Sequence, residues 1–392
     1  MVAPHLTYAD LRIAMFCGNY NYVHDGANQA LNRLAEYLLR QGAQLRVYSP
    51  TVAEPAFPPT GDLVSLPSMP FPGRSEYRFS LGIPHGVRRD MEAFAPNVLH
   101  VASPDVSSHR AVTWARRRGL PILASVHTRF DTYFRYYNLG FVEPLITTLM
   151  RRFYRRCDAL VAPAESMAQV LRDERMSNDI DIWSRGVERD VFNPTRRDFE
   201  WRRSLGIADD EFVVGFLSRL VMEKGLDVFS DALDELTRRG VKHRVLIVGD
   251  GPARGWFEAR LPDAIFTGFR GGTALAQAVA SMDLMFFPSV TEAFGNVVLE
   301  AMACGVPVLA AEATGSASLV ADHVTGRLIR PGAISQFADC LQAYAADPAL
   351  RAAHGGAGEK RSRDFSWDRI NQVVADTYLR LIRQKAATAA AR

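Results

Sequence analysis

Lysine is nearly missing from this 392-residue chain. It occurs only at 224, 242, 360 and 385, so arginine carries almost all of the positive charge. Cysteine is scarce as well: Cys17, Cys157, Cys304 and Cys340 are scattered without paired spacing, which suggests neither a disulfide framework nor a zinc site and fits a reducing cytoplasm. No apolar run approaches the roughly 20 residues that a spanning helix needs. The opening MVAPHLTYADLR also lacks the charged-then-apolar order of a secretory signal, so the expectation is a protein that does not cross a membrane but can touch one. The glycine pattern of a dinucleotide fold is absent. The first loop supplies only Gly18 and Gly26, too far apart for Gly-x-Gly-x-x-Gly, which argues against a nicotinamide enzyme. A net charge of +3 is too small to indicate a nucleic-acid partner.

What is present is an ordinary soluble composition, 48% hydrophobic and 23% charged, in a chain long enough for two domains of roughly 150–200 residues. Short apolar runs alternate with amphipathic stretches. LRIAMFC (11–17) precedes a helical pattern through Leu31, Leu34, Leu38 and Leu39, and QLRVYS, NVLHVAS, PILASVHT and ALVAPA follow with helices between them. After a polar, arginine-rich stretch at 193–204 the pattern restarts with FVVGFLSRL, HRVLIVGDG, AIFTG, LMFFPS and PVLAA. This alternation predicts an α/β fold of two Rossmann-like doubly wound domains. The expected divisions are 1–195, 205–364 and a helix over 365–385 that crosses back to the first domain, with the tail QKAATAAAR frayed. Ligands of doubly wound sheets bind outside the strand C-terminal ends, so an interdomain cleft is the expected site.

Three groups of residues stand at such ends. In SVTEAFGNVVLE, Glu292 and Glu300 flank a helix start whose free amides at Gly295, Asn296 and Val297 suit a phosphate, while the carboxylates suit sugar or ribose hydroxyls. In SRLVMEKG, Arg219 and Lys224 follow a strand and could neutralise a diphosphate leaving group. His127 ends the run PILASVHT, where it could donate to a carbonyl or hydroxyl. Taken singly, each has a plainer reading as a solvated charge or a packed histidine.

Taken together they are recognisable. The order GN…DGAN, VHT, RGVERDVFNP, GFLSRLVMEKGLD, VGDGP, FTG, TEAFGNVVLEAMACGVPV and ATGSASLV resembles the retaining glycosyltransferases of family four across nearly the whole chain. Within that family, RGVE and HTRFDTYFRYY are most similar to the branch of sulfolipid sugar transferases and bacterial mannosyl- and glycolipid transferases. The resemblance implies the GT-B fold and a sugar moved from a UDP- or GDP-sugar to a hydroxyl acceptor, a membrane lipid or glycolipid. The nucleotide sugar is then a substrate and no cofactor is implied. Arg219 and Lys224 would hold the donor diphosphate, Glu300 the ribose and Glu292 the sugar hydroxyls. Amides at Gly295, Asn296 and Val297 would meet phosphate or sugar, and His127 would contact the sugar near its anomeric carbon. Gly26 would let backbone approach the β-phosphate, and Tyr133, Tyr136 and Tyr137 would guide the acceptor. Two departures stand out: Asp25-Gly26 replaces the usual double glycine, and Ala313-Thr314-Gly315-Ser316 replaces an Ala-Gly-Gly element.

The same resemblance implies front-face displacement with no covalent carboxylate intermediate, and two cations in place of a divalent metal. A GT-B epimerase or hydrolase and a non-catalytic nucleotide-sugar-binding subunit are the competing readings; the complete Arg-x4-Lys and Glu-x7-Glu set argues against both. Residues 110–156 hold ten arginines against Asp131 and Glu143. Within them LITTLMRRFYRR spaces Leu145, Leu149 and Phe153 as one helical face, with Arg151, Arg152, Arg155 and Arg156 bunched at its end. That pattern suits an anionic membrane surface, so the expected location is cytoplasmic, peripheral on the inner face of the cell membrane.

Overall fold

The computed structural model describes residues 6–23, 25–71, 74–127, 143–292 and 294–390. The chain forms two compact units, Met1–Ser184 with Trp367–Arg392, and Arg185–Ser366.

The first unit is built on seven parallel strands: β1 (Arg12–Phe16), β2 (Gln44–Pro50), β3 (Asp62–Leu66), β6 (Val98–Val101), β7 (Ile122–Ser125), β8 (Ala159–Ala162) and β9 (Ile180–Ile182). A separate antiparallel hairpin comprises β4 (Ser68–Phe71) and β5 (Arg74–Ser80). The sheet order is β3-β2-β1-β6-β7-β8-β9. Its central strands are buried on both faces, which is why they read as unbroken apolar runs rather than alternating ones. Helices α1 (Gly26–Arg40), α2 (His85–Phe94), α3 (Val106–Arg117), α4 (Glu143–Tyr154) and α5 (Glu165–Asp173) connect them. Helix α1 starts where it does because Asp25 caps it, accepting from the amides of Ala27 and Asn28 at 2.9 and 2.8 Å.

The face drawn for α4 from its spacing needs correction. Leu145 and Leu149 are 59% and 52% exposed, but Phe153 is buried, tilted against His109 at 4.5 Å. Arg151 is held by Glu174, through its carbonyl at 2.6 Å and its carboxylate at 3.1 Å, and Arg156 donates to Thr113 Oγ1 at 2.6 Å. Arg152 and Arg155 are the two of the four that stay exposed. Tyr133, Tyr136 and Tyr137 lie outside the described residues.

The second unit repeats the scheme with β10 (Val213–Leu217), β11 (Arg244–Val248), β12 (Ile265–Phe266), β13 (Leu284–Phe287), β14 (Val308–Ala311) and β15 (Gly326–Ile329), all parallel, in the order β12-β11-β10-β13-β14-β15. Its helices are α6 (Phe199–Ser204), α7 (Leu226–Arg238), α8 (Arg254–Arg260), α9 (Gly272–Ala280), α10 (Asn296–Ala303), α11 (Thr314–Leu319), α12 (Ile334–Ala346) and α13 (Pro348–Ser362). The core gathers Phe216, Phe229, Phe257 and Phe286, with ring centroids 5.0–5.8 Å apart where they meet.

The arginine-rich stretch that reads as a connector belongs to this second unit. Arg202 is fully buried, donating to Asp283 Oδ2 at 3.1 Å and to the carbonyls of Glu211 and Ser281 at 2.6 and 3.3 Å. Arg197 pairs with the other oxygen of Asp283 at 2.6 Å, and the Val213 amide donates to that carboxylate at 2.8 Å. The stretch therefore clamps the starts of β10 and β13.

The last helix, α14 (Trp367–Ala390), belongs to the first unit and is helical through most of the tail expected to fray. It buries Ile370, Val374, Tyr378 and Leu381, and it packs against α1 and β9. Arg380 bridges Asp179 and Asp181 at 2.6 and 2.7 Å, and Asn371 accepts from Trp183 Nε1 at 3.1 Å.

Candidate active site

Strand order decides where a ligand of the second unit would bind. The sheet runs out in one direction from β10 and in the other from β13, so the loops after those two strands part around a crevice at their C-terminal ends. The loop after β10 carries Arg219 and a turn of 3-10 helix at Met222–Lys224, and the loop after β13 carries Glu292 and Gly295 before α10. These are the strongest sequence signals, and the fold brings them together. Lys224 Nζ forms an ion pair with Glu292 Oε1, and Thr291 Oγ1 donates to the carbonyl of Glu223 at 3.3 Å. Arg219 is exposed and has no side-chain partner among the described residues. The crevice therefore holds one cation already neutralised by a carboxylate and one that is not.

Helix α10 begins after Gly295, whose φ of 95° is a left-handed conformation that favours glycine. The amides of Val298 and Leu299 turn back to the Gly295 carbonyl at 3.0 and 3.2 Å. Those of Asn296 and Val297 find no acceptor among the described residues, so they and the positive helix end are available to an anion. The departure at 313–316 preserves the contact that matters here. A Cβ on Gly315 would stand 2.8 Å from the carbonyls of both Glu292 and Phe294, so only glycine lets α11 close against this loop.

Glu300 lies one turn into α10 and has no side-chain partner among the described residues. Removal from water pushes its carboxyl up to about 8. Some of its surface stays accessible, so a hydroxyl-bearing ligand could supply the missing hydrogen bonds. The shift has a definite sign. A carboxyl that holds its proton more tightly when folded makes the folded state lose ground as pH rises from about 4.5, the ordinary value, to about 8. Urea unfolding of the ligand-free protein at pH 5 and pH 8.5 checks this: wild type should lose more stability across the interval than Glu300→Gln. Equal losses would show that the carboxyl titrates normally.

In the first unit, His127 stands two residues beyond β7, half-buried. Its Nε2 is 2.8 Å from Ser125 Oγ, and its ring meets the edge of Trp183 at 5.4 Å. Gly26 is the first residue of α1. The Asp25 carboxylate occupies the amides of Ala27 and Asn28 and also accepts from Asn19 Nδ2 at 3.0 Å. Where the family pattern has glycine, this chain places an anion of its own on the helix start.

Sequence reading missed the side chains behind His127. Ser125 and His127 are two apart in an extended segment and so share a face, a signal that was readable. His100 and Tyr378, which continue the contact, come from distant parts of the chain and had none.

A GT-B pair of Rossmann-like units, with two cations, two carboxylates and a free helix start at the switch point of the second, defines the class of sugar-nucleotide glycosyltransferases. The chain belongs to glycosyltransferase family 4: residues 24–191 match the family described as Glycosyltransferase Family 4, and residues 211–347 match the one described as Glycosyl transferases group 1. It is 32% identical to a GDP-mannose-dependent alpha-mannosyltransferase of Mycolicibacterium smegmatis, over 81% of this chain and 84% of that one. It is 28% identical to the sulfoquinovosyl transferase SQD2 of Arabidopsis thaliana, over 91% of this chain and 71% of that one. Among solved structures, a sucrose-phosphate synthase from Thermosynechococcus elongatus shares the fold with a TM-score of 0.77 at 20% identity, covering 95% of this chain and 99% of that one. No described helix is long and apolar enough to cross a membrane.

Proposed function

We propose that this glycosyltransferase moves a hexose-type sugar from a UDP- or GDP-sugar to a hydroxyl of a membrane lipid or glycolipid, with retention of anomeric configuration and without a metal. The observation that carries the reading is the unneutralised Arg219 beside the Lys224–Glu292 pair, over a helix start with open amides. Such a group is matched to a diphosphate on which negative charge grows as it departs. Arg219 and Lys224 take up that charge. Asn296 and Val297 amides donate to phosphate or sugar, Glu292 accepts from sugar hydroxyls and Glu300 from the ribose. His127 contacts the sugar near the reacting carbon, and Gly26 keeps the backbone near the β-phosphate slim.

In front-face displacement, the bond between the anomeric carbon and the diphosphate oxygen breaks while the acceptor oxygen bonds to that carbon from the same side. The acceptor's proton passes to the departing phosphate oxygen, so no side chain need act as nucleophile. The test is a transfer assay with UDP- and GDP-sugars, phospholipid or glycolipid acceptors, and excess EDTA, read by NMR of the product. An α-donor should give an α-product at an undiminished rate. Inversion would overturn the displacement scheme, and loss of activity in EDTA would overturn metal independence.

The lipid acceptor is supported by the surface of α4. Exposed Leu145 and Leu149 precede exposed Arg152, in the last turn of the helix where cations are favoured, and exposed Arg155 just beyond it. Each arginine near an anionic leaflet adds about 1 kcal/mol. Co-sedimentation with vesicles should rise with anionic lipid and fall with salt. Arg152→Gln with Arg155→Gln should weaken binding by about tenfold or more, whereas Arg151→Gln, which removes a cation already bound to Glu174, should change it far less. Equal binding to neutral vesicles would point to a soluble acceptor.

A further inference from the structure

A hydrogen-bonded chain runs through the interior of the first unit from the last helix to His127. Tyr378 on α14 lies with its hydroxyl 2.5 Å from His100 Nδ1. On the other side of that ring, His100 Nε2 is 2.9 Å from Ser125 Oγ, and Ser125 Oγ is 2.8 Å from His127 Nε2. Tyr378, His100 and Ser125 are all buried, and each makes no other side-chain hydrogen bond among the described residues.

Because Tyr378, His100 and Ser125 have so few partners, the protons between them can be placed. Among the described residues the Tyr378 hydroxyl hydrogen-bonds only to His100 Nδ1, and a buried hydroxyl that failed to donate would lose that bond with no water to replace it. His100 is neutral, since burial lowers its imidazole to about 3. Neutral imidazole with Nδ1 accepting must carry its hydrogen on Nε2, which then donates to Ser125. Ser125 Oγ, accepting from His100, turns its own hydrogen to His127. The reverse direction would require Tyr378 to accept with its hydrogen aimed at apolar core, where Val374 and Leu381 lie on the same helix face.

We propose that Tyr378, His100 and Ser125 are positioning residues that fix His127 as the tautomer with Nε2 accepting and Nδ1 protonated. A histidine so held carries its proton at Nδ1 and cannot carry it at Nε2 without breaking the chain. The functional consequence rests on the reading of His127 as a sugar contact: it would meet the substrate as a donor, suited to a hydroxyl oxygen, and not as a base. Trp183 braces the same assembly, its ring edge-on to His127 at 5.4 Å and to His100 at 6.3 Å, and its indole N–H is itself fixed by Asn371 of α14. The C-terminal helix therefore sets the protonation pattern of a side chain far from it in sequence.

The test is nitrogen NMR of the full chain labelled at histidine, with the His127 resonances identified by their loss in His127→Gln. Wild type should show His127 Nδ1 as the protonated nitrogen and Nε2 as the bare one. Ser125→Ala should mix or reverse the two, Ser125→Thr should restore the wild-type pattern, and Tyr378→Phe, which keeps the ring in the core, should shift it partway. A proton on Nε2 in wild type, or a pattern unmoved in folded Ser125→Ala, would overturn the proposal. Turnover separates this from the role of His127: Ser125→Ala should lower kcat by about tenfold with donor KM little changed, as losses behind a working side chain commonly do. A tautomer that switches while kcat stays put would leave the relay standing and remove His127 from the sugar site.

Discussion

Arg219→Ala is expected to reduce sugar transfer by about 10²–10³-fold, about 3–4 kcal/mol of transition-state stabilisation, while leaving the unfolding temperature where it was. The two halves of that expectation have separate causes. The guanidinium is exposed and unpaired among the described residues, so the folded protein loses no contact when it goes. On the proposed reading the diphosphate, in contrast, gains charge as the sugar departs and would lose one of the two cations that meet it. Lys224→Ala should cost as much turnover but also some stability, because it leaves Glu292 half-buried without its partner. Normal turnover in folded Arg219→Ala would remove the phosphate clamp from the account.

The second large effect is on stability. Arg202→Ala is expected to destabilise the second unit by about 3–5 kcal/mol, the range for removing one partner of a buried ion pair. Arg202 has no exposed surface and gathers Asp283 with the carbonyls of Ala208, Glu211 and Ser281. Without it Asp283 keeps Arg197 but loses its buried partner, and three carbonyls lose a donor. Denaturant unfolding measures the loss. Arg203→Ala, whose pair with Asp209 is largely solvated, should cost far less and serves as the comparison. Similar small losses for both would mean the buried pair is not holding β10 and β13 together.

These two arginines also show how far the sequence could be read. In the row WRRSLG they are neighbours of the same type, and nothing local distinguishes the one that is buried from the one that is solvated. Parallel strands were legible because burial on both faces leaves unbroken apolar runs, as in VVGFL and LMFF. The order of those strands, and so the pairing of Lys224 with Glu292 across 68 residues, leaves no trace in local spacing; the family resemblance assigned both residues to one donor site without pairing them. The α4 stripe misled because helical periodicity places Leu145, Leu149 and Phe153 on one side without saying where that side turns from solvent to core. Tyr378 carries no signal in the sequence, since a hydroxyl meeting a histidine 278 residues away leaves no local trace.

A nucleotide-sugar site at the switch point of the second unit would show in thermal unfolding of wild type and Arg219→Ala against a panel of UDP- and GDP-sugars. A ligand at 100 times its Kd adds about 2.7 kcal/mol to a protein that binds it only when folded. One or a few donors should raise the wild-type Tm by several degrees, and the rise should largely disappear in the variant. No shift with any donor, or the same shift in Arg219→Ala, would contradict such a site.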